Sequence, residues 1–480
     1  MSELQSQAAS GIKWSAIERL ITQLVQLLIM LVLARQLGPQ AFGLVGMLAV
    51  FLAISQVFVE SGMGAALIRK LDRTEQDFTT AFYFNIAVGV LCYLLLYICA
   101  PFIADFYQQP QLTNLLRWLA LVIIIHAFSL VPKTMLTIDM DFKKLAVASF
   151  GAVTISSGVA LVCAYQGVGV WSLVAQSLSY AFSHIVILNI VRPWTPKRRC
   201  SKDSFNYLFG FGSKLMLAGL LNGIYQNIYQ IIIGKYYSAV QVGYFTQANQ
   251  LVKTPAMTMT TVIQRVTYPM LSRIQDDIER LKAAYLITLQ LAALVVFPLL
   301  IGLAVVADPL IPLMLGEVWR PAAELVPFIC LALTLYPIHA INLNMLQVKG
   351  RADLFLKLEV VKKGITTVIL ICTVPLGLKA ICIGMVVQSC IAFFINSYYN
   401  GKLNGLSVMD QLRTLLLIFL MSSFACGVAW YVSTLISELD WVRVVFTMLL
   451  ATFIYIVSVR YLQPRLYSYI VKSFFAKKEN

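Results

Sequence analysis

A chain of 480 residues that is 59% hydrophobic and only 12% charged, with a mean hydropathy of +0.79, cannot present a water-soluble surface and reads as an integral membrane protein. Its net charge of +15 does not signal nucleic-acid binding, because the basic residues are spread over loops assigned to one membrane face. No GxxxxGKS/T phosphate loop and no loop long enough for a nucleotide-binding domain is present, and nine cysteines without CxxC spacing imply neither disulfides nor zinc.

A spanning helix needs roughly 20 mostly apolar residues. The chain offers about fourteen such runs, at 14–34, 42–68, 79–100, 115–135, 145–165, 170–191, 207–233, 242–270, 283–307, 322–345, 358–376, 380–399, 414–435 and 441–460. A polar, Gln-rich start and charges inside the first run predict no cleavable signal. The first run, within KWSAIERLITQLVQLLIMLVLAR (13–35), carries Ser15, Glu18, Thr22 and Gln26 on one helical face, with Arg19 adjacent. The second holds Gln56 and Glu60 one turn apart. His126, His184 and His339 lie far apart in separate spans, which argues against a metal site. His126 reads either as a protonatable cavity residue or as a polar contact between helices.

The seventh run contributes Lys214, Asn222, Gln226, Asn227 and Gln230. The eighth places Gln250, Lys253, Met257, Thr261 and Gln264 at spacings of three, four, four and three, with Arg265 next to the last. Further on, Lys362 and Lys363 near Glu359 read as a helix end. The final stretch, RYLQPRLYSYIVKSFFAKKEN, mixes basic and aromatic residues as an interfacial anchor does.

Lys and Arg favour cytoplasmic loops. With the N-terminus inside, most of the 37 basic residues fall on the cytoplasmic face, including those of RPWTPKRRCSKDSF (192–205), and an even span count puts both termini there. An internal echo then organises the chain. ARQLGPQAFGL (34–44) and GKYYSAVQVGY (234–244) each join a polar-striped helix to its return helix, and Gly43 matches Gly243 at an offset of 200. Repeats six spans apart share an orientation and are related by an axis along the membrane normal. The expected architecture is therefore all-α: two pseudo-symmetric six-helix lobes, 1–195 and 196–405, followed by a C-terminal helix pair and tail at 406–480.

An ionised side chain at mid-membrane costs about 2.5–3.5 kcal/mol on insertion scales, so it faces a partner or a watery cavity. Polar residues concentrate on spans one, two, seven and eight, which are predicted to line one aqueous cleft. Lys253 lies near mid-span and Glu60 about two turns in, both read as cleft-facing. Arg19 and Arg265 are shallow enough to snorkel to the headgroups instead.

SGIKWSAIERL, LARQLGPQAFGL, YPMLSRIQDDIERLK (268–282) and LIPLMLGEVWRPAAELV (310–326) resemble the polysaccharide transporter family of the multidrug/oligosaccharidyl-lipid/polysaccharide flippase superfamily, specifically its colanic-acid-exporter type. The likeness runs through nearly the whole chain in order. It implies a two-lobe transporter of the bacterial inner membrane that alternates between inward- and outward-facing states. The implied cargo is an undecaprenyl-pyrophosphate-linked oligosaccharide, delivered to a polymerase and built by glycosyltransferases of the same pathway. Related flippases use cationic lumen residues on spans one, two and eight, broadly where Arg19, Lys253 and Arg265 stand.

In that reading Lys253, Arg265, Lys214 and Arg19 meet phosphate, while Asn222, Gln226, Asn227, Gln230 and Gln250 meet sugar hydroxyls. Glu60 or Glu18 couples the cycle to a proton or sodium gradient, and no cofactor is expected. Besides substrate, only membrane lipids and pathway enzymes are expected partners. A drug/cation antiporter of the same superfamily would share the lobes but needs a net acidic cleft. A membrane glycosyltransferase or polymerase needs a catalytic carboxylate constellation or a large outer loop.

Overall fold

The computed structural model describes the backbone of residues 2–60, 62–436, 438–464 and 466–468, and side chains from residue 21 onward except those of Ala218, Arg265, Val266, Ala352 and Asn404. Every regular element among them is helical. Chain contacts divide the protein into two compact units, Met1–Gly243 and Tyr244–Asn480.

The first unit contains α1 (Ser2–Glu60), α2 (Met63–Arg69), α3 (Glu75–Tyr107), α4 (Gln111–Leu119), α5 (Leu121–Ile138), α6 (Phe142–Tyr165), α7 (Trp171–Val191), α8 (Lys202–Gln226), α9 (Ile228–Tyr236) and the start of α10 (Ala239–Arg273). α1 is two helices joined at Gly38, whose φ of 70° is costly for any residue with a Cβ. Pro39 follows and lacks the amide hydrogen that would continue the ladder. The helix starts explain the polar loops. Thr74 and Asp77 form a capping box on α3, the Asp141 carboxylate accepts from the Lys144 amide to start α6, and Asp277 accepts from the Arg280 amide at 3.1 Å to start α11 (Ile278–Val305).

Small residues let these helices approach closely, as membrane helices must without a hydrophobic force between them. Leu33, Ala41, Ala160, Ala164 and Leu173 join α1, α6 and α7, while Met63, Leu67, Phe78, Val131 and Leu208 join α2, α3, α5 and α8. On α3, Leu91, Leu94, Leu95, Ile98 and Phe102 stand exposed at helical spacing, as a lipid-facing stripe requires.

The second unit continues through α11, α12 (Ala307–Leu315), α13 (Arg320–Ala323), α14 (Val326–Thr334), α15 (Tyr336–Val348), α16 (Ala352–Thr373), α17 (Leu378–Asn404), α18 (Val408–Ile436) and α19 (Asp440–Leu462). Its core packs Leu289, Ala293 and Phe297 of α11 against Ile338, Ile341 and Met345 of α15 and Ile418 and Cys426 of α18. Beside it lies a buried polar knot. The Tyr285 hydroxyl shares its proton between Asn342 Oδ1 and Gln411 Oε1 and accepts from Asn400 Nδ2 at 3.0 Å. Asn400 Nδ2 also reaches Asn342 Oδ1 at 3.0 Å, so one hydroxyl ties together α11, α15, α17 and α18. Tyr285→Phe is expected to lower stability by about 1–3 kcal/mol by stranding buried amide groups, read as a fall in melting temperature of the detergent-purified protein. An unchanged melting temperature would mean the knot is not needed to hold the four helices.

Eleven helices among the described residues are long and apolar enough to cross a membrane, where the sequence suggested about fourteen. The first and second runs are not two separate spans here: α1 carries the chain from the first into the second, bent at Gly38, and a single candidate span, Ile21–Arg69, covers them. α10 and α16 have the length but are too polar to qualify by composition. The seventh run is broken at Asn227 into α8 and α9. Lys362 and Lys363 do not end a helix: they sit in the middle of α16, where Lys362 pairs with Glu359 on the same face. Cysteines inside the spans are expected to be buried small hydrophobes; Cys92 and Cys330 are buried and Cys163 is half-buried, whereas Cys99 and Cys390 are exposed.

Candidate functional site

α5 organises the polar interior of the first unit. Val122, His126, Leu130, Lys133 and Thr137 follow one another at steps of four, four, three and four, so they share one helical face. That face lines two cavities.

The first cavity, about 340 Å³, lies between the end of α1, α2, α5 and α8, and its polar lining is Glu60, Lys133, Thr134 and Thr137. Glu60 Oε1 accepts from Gln56 Nε2 at 3.1 Å, so the pair that the sequence placed one turn apart does meet. Lys133 is exposed and forms no ion pair among the described residues, with Glu60 or any other. Glu60 and Lys133 thus share one pocket without pairing.

The second cavity, about 300 Å³ and open on one side, is lined by Gln26 of α1, Val122 and His126 of α5, Val153, Ser156 and Ser157 of α6, and Gln176, Ser177 and Tyr180 of α7. Ser156 Oγ donates to the Val153 carbonyl at 3.0 Å and Ser177 Oγ to the Leu173 carbonyl at 2.9 Å, so these two protons are already committed. The Tyr180 ring stacks on His184 with centroids 5.7 Å apart. A third cavity, lined by Phe82, Phe128, Phe182 and Trp194, is aromatic, and the Asn189 amide in its wall is spent on the Ile185 carbonyl.

A charged clasp holds the loop beside the first cavity. Lys70 Nζ lies 2.9 and 2.8 Å from the Asp77 carboxylate oxygens and 5.3 Å from the Tyr207 ring centroid. The hydrogen bond to Asp77 raises the Lys70 ammonium above the usual lysine range. The basic linker is pinned nearby: Trp194 Nε1 donates to Glu75 Oε1 at 2.7 Å and the Ser201 amide to Thr80 Oγ1 at 3.0 Å.

The residues singled out from sequence disperse. Glu60 lines the first cavity, and Gln26 and His126 line the second. Lys214, Asn222 and Gln226 are exposed on α8. Asn227 caps α8 and donates its amide to the Gly223 carbonyl at 2.9 Å, a structural use of a side chain read as sugar-binding. Gln230 on α9 is 9% exposed, and its Oε1 has no partner among the described residues. Gln250, exposed, and Lys253, half-buried, lie on the part of α10 that belongs to the second unit. The side chains of Glu18, Arg19 and Arg265 lie outside the described residues. Lys133, Thr134, Thr137 and Gln176 escaped the sequence reading. Positive-inside topology accounts for a lysine at position 133 without any site, and its step of seven from His126 is the sequence signal that places it on the cavity face.

Comparisons with known proteins agree with this architecture. Residues 32–324 match the family described as polysaccharide biosynthesis protein. The teichuronic acid biosynthesis protein TuaB of Bacillus subtilis is 28% identical over 356 residues, 74% of this chain and 74% of its own. The lipopolysaccharide biosynthesis protein WzxC of Escherichia coli is 24% identical over 365 residues, 75% and 73% of the two chains. Among solved structures, the lipid II flippase MurJ in an inward closed conformation superposes with a TM-score of 0.74 over 94% of this chain and 99% of that chain, at 13% identity. An inward-facing MATE family multidrug transporter of the MOP superfamily follows at 0.62 over 84% and 99%, at 17% identity. With the family match spanning more than half of its length and the fold of MurJ beneath it, the chain belongs to the polysaccharide biosynthesis protein family.

Proposed function

We propose that the protein is a flippase that carries an undecaprenyl-pyrophosphate-linked oligosaccharide repeat unit across the bacterial inner membrane by alternating access, for assembly of a surface polysaccharide. The observation that carries this reading is a conjunction: membership of a polysaccharide biosynthesis family on the fold of a lipid II flippase. A glycan pyrophosphate cannot cross hydrocarbon, whereas its polyprenyl tail can stay in lipid. The protein must therefore offer a polar, net-cationic path for the headgroup and leave the tail outside.

In this reading the lobes 1–195 and 196–405 alternate, with both termini cytoplasmic and the pair at 406–480 appended. Lys253, Arg265, Lys214 and Arg19 offer charge to the pyrophosphate, and Asn222, Gln226, Gln230 and Gln250 offer hydrogen bonds to hydroxyls. Glu60 or Glu18 supplies the titratable group for coupling to a proton or sodium gradient. Polymerase and glycosyltransferases of the same pathway stand on either side of the step. The antiporter alternative is supported less, since the MATE superposition is poorer and shorter than that on MurJ.

The test is reconstitution. Proteoliposomes containing the protein are expected to move a fluorescent undecaprenyl-pyrophosphate-linked oligosaccharide between leaflets, and Lys253→Gln to slow the movement about tenfold or more, the loss of one charge-assisted hydrogen bond. Movement equal to that in empty vesicles would overturn the proposal. Glu60→Gln with unaltered flipping and unaltered gradient dependence would remove that residue from coupling.

A further inference from the structure

We propose that the His126 cavity of the first unit is a subsite for a single uncharged sugar ring of the transported headgroup. The inference rests on the flippase reading above and narrows it to one place and one chemistry.

Among the described residues the lining contains no carboxylate, ammonium or guanidinium. An ion brought there would give up part of its hydration without gaining a counter-charge from these residues, which disfavours a metal cation, a phosphate or a uronate carboxylate as the occupant. Three side chains nevertheless offer hydrogen bonds that no described residue uses. The amides of Gln26 and Gln176 and the imidazole of His126 have no hydrogen-bond partner among the described residues. They come from three different helices, α1, α7 and α5, and converge on one space.

Gln26 is exposed and His126 and Gln176 are half-buried, so their polar groups stand open to whatever fills the cavity, whereas simple packing would have favoured leucine at each position. Each of the three both donates and accepts, as a sugar hydroxyl does. Tyr180 adds an aromatic wall, backed by His184. A volume of about 300 Å³ is at the lower limit of small-molecule sites, the scale of one six-membered ring rather than a disaccharide. The neighbouring Glu60 and Lys133 cavity is charged and is the unsuitable one for this ligand.

The experiment uses the full-length protein in nanodiscs and a panel of methyl glycosides of glucose, galactose, mannose, fucose and rhamnose at tens of millimolar. At least one glycoside is expected to raise the melting temperature saturably. Gln26→Leu and Gln176→Leu should lose that rise while their unliganded melting temperature stays at or above the parent's, because an unused amide has been replaced by an apolar group. Lys253→Gln should retain the rise. In proteoliposomes both leucine variants should flip at least tenfold more slowly.

No response of the parent protein to any glycoside, or an equal response in the leucine variants, overturns the proposal. So do leucine variants that lose stability yet flip normally. Glycoside binding without any flipping by the parent protein would leave the subsite standing and defeat the flippase reading. Flipping by the parent with no glycoside response would do the reverse.

Discussion

Replacing Gly43 with alanine is expected to destabilise the protein by about 3 kcal/mol or more, at the upper end of overpacking costs. A Cβ at Gly43 would stand 1.6 Å from the Ala239 carbonyl oxygen, and a Cβ at Gly243 would stand 2.0 Å from the Pro39 carbonyl oxygen. Both obstacles are backbone, which cannot rotate aside. The pairing is reciprocal: residues 39 and 43 stand exactly two hundred positions before residues 239 and 243. Each turn of the internal echo thus presses its glycine against the other turn's carbonyl, within the first unit.

Gly43→Ala and Gly243→Ala should each lower the melting temperature of the full-length protein and cut the yield of transport-competent material. The double variant should cost less than the sum, because both substitutions strain one contact. Gly158→Ala on α6 is the control. Its Cβ would meet nothing within 4 Å, so stability should hold or rise slightly. A Gly43→Ala protein as stable as the Gly158→Ala control would refute the close packing.

The second large effect is expected at the Lys70 clasp. Asp77 is completely buried and its partner Lys70 nearly so, with side-chain exposures of 0% and 16%. Lys70 ends α2 and Asp77 sits in the first turn of α3, so the ion pair fastens two helix ends across a short loop. Lys70→Met leaves a buried carboxylate held by the Thr74 amide at 2.7 Å, the Thr74 hydroxyl at 3.2 Å and the Ser204 side chain, with no counter-charge from Lys70. The expected cost is about 3 kcal/mol. Asp77→Asn keeps an acceptor for the Thr74 amide and should cost about half as much.

The pH dependence follows from the raised Lys70 value. A lysine whose folded pKa exceeds its unfolded value, about 10.4, contributes fully below that value and loses its contribution as pH rises through the folded one. The stability gap between the parent and Lys70→Met should therefore be level from neutral pH to about 10 and narrow above it. A gap that shrank on acidification to pH 6 would contradict the clasp.

The same loops show how far reading the residues in order can go. RKLDRTEQD was legible as a polar connection between spans, because polar side chains cannot stay in hydrocarbon. That Lys70 and Asp77 are a buried pair, with Thr74 and Asp77 as a helix cap, was not legible. It depends on α2 and α3 turning those faces together and on Tyr207 of α8 closing over them. The echo of Gly43 and Gly243 was visible as a repeat, whereas their interlocking required both turns to be built. On α5 the span is legible from hydropathy, whereas the place of Lys133 in a cavity lining is not, because a lysine near a span end is equally well explained by topology.

Hydropathy and periodicity by themselves determined that this is a helical, multi-pass membrane protein with an internal repeat, and its segments were long enough to carry a family resemblance. Those properties are sums over neighbouring residues, and local sums survive without any knowledge of partners. Only the tertiary structure decided that Gln26, His126 and Gln176 face one chamber, that Asn227 closes a helix, and that Lys133 shares a pocket with Glu60. Such meetings are set by each helix's rotation about its axis and by how near two backbones come, and both depend on residues tens to hundreds of positions away.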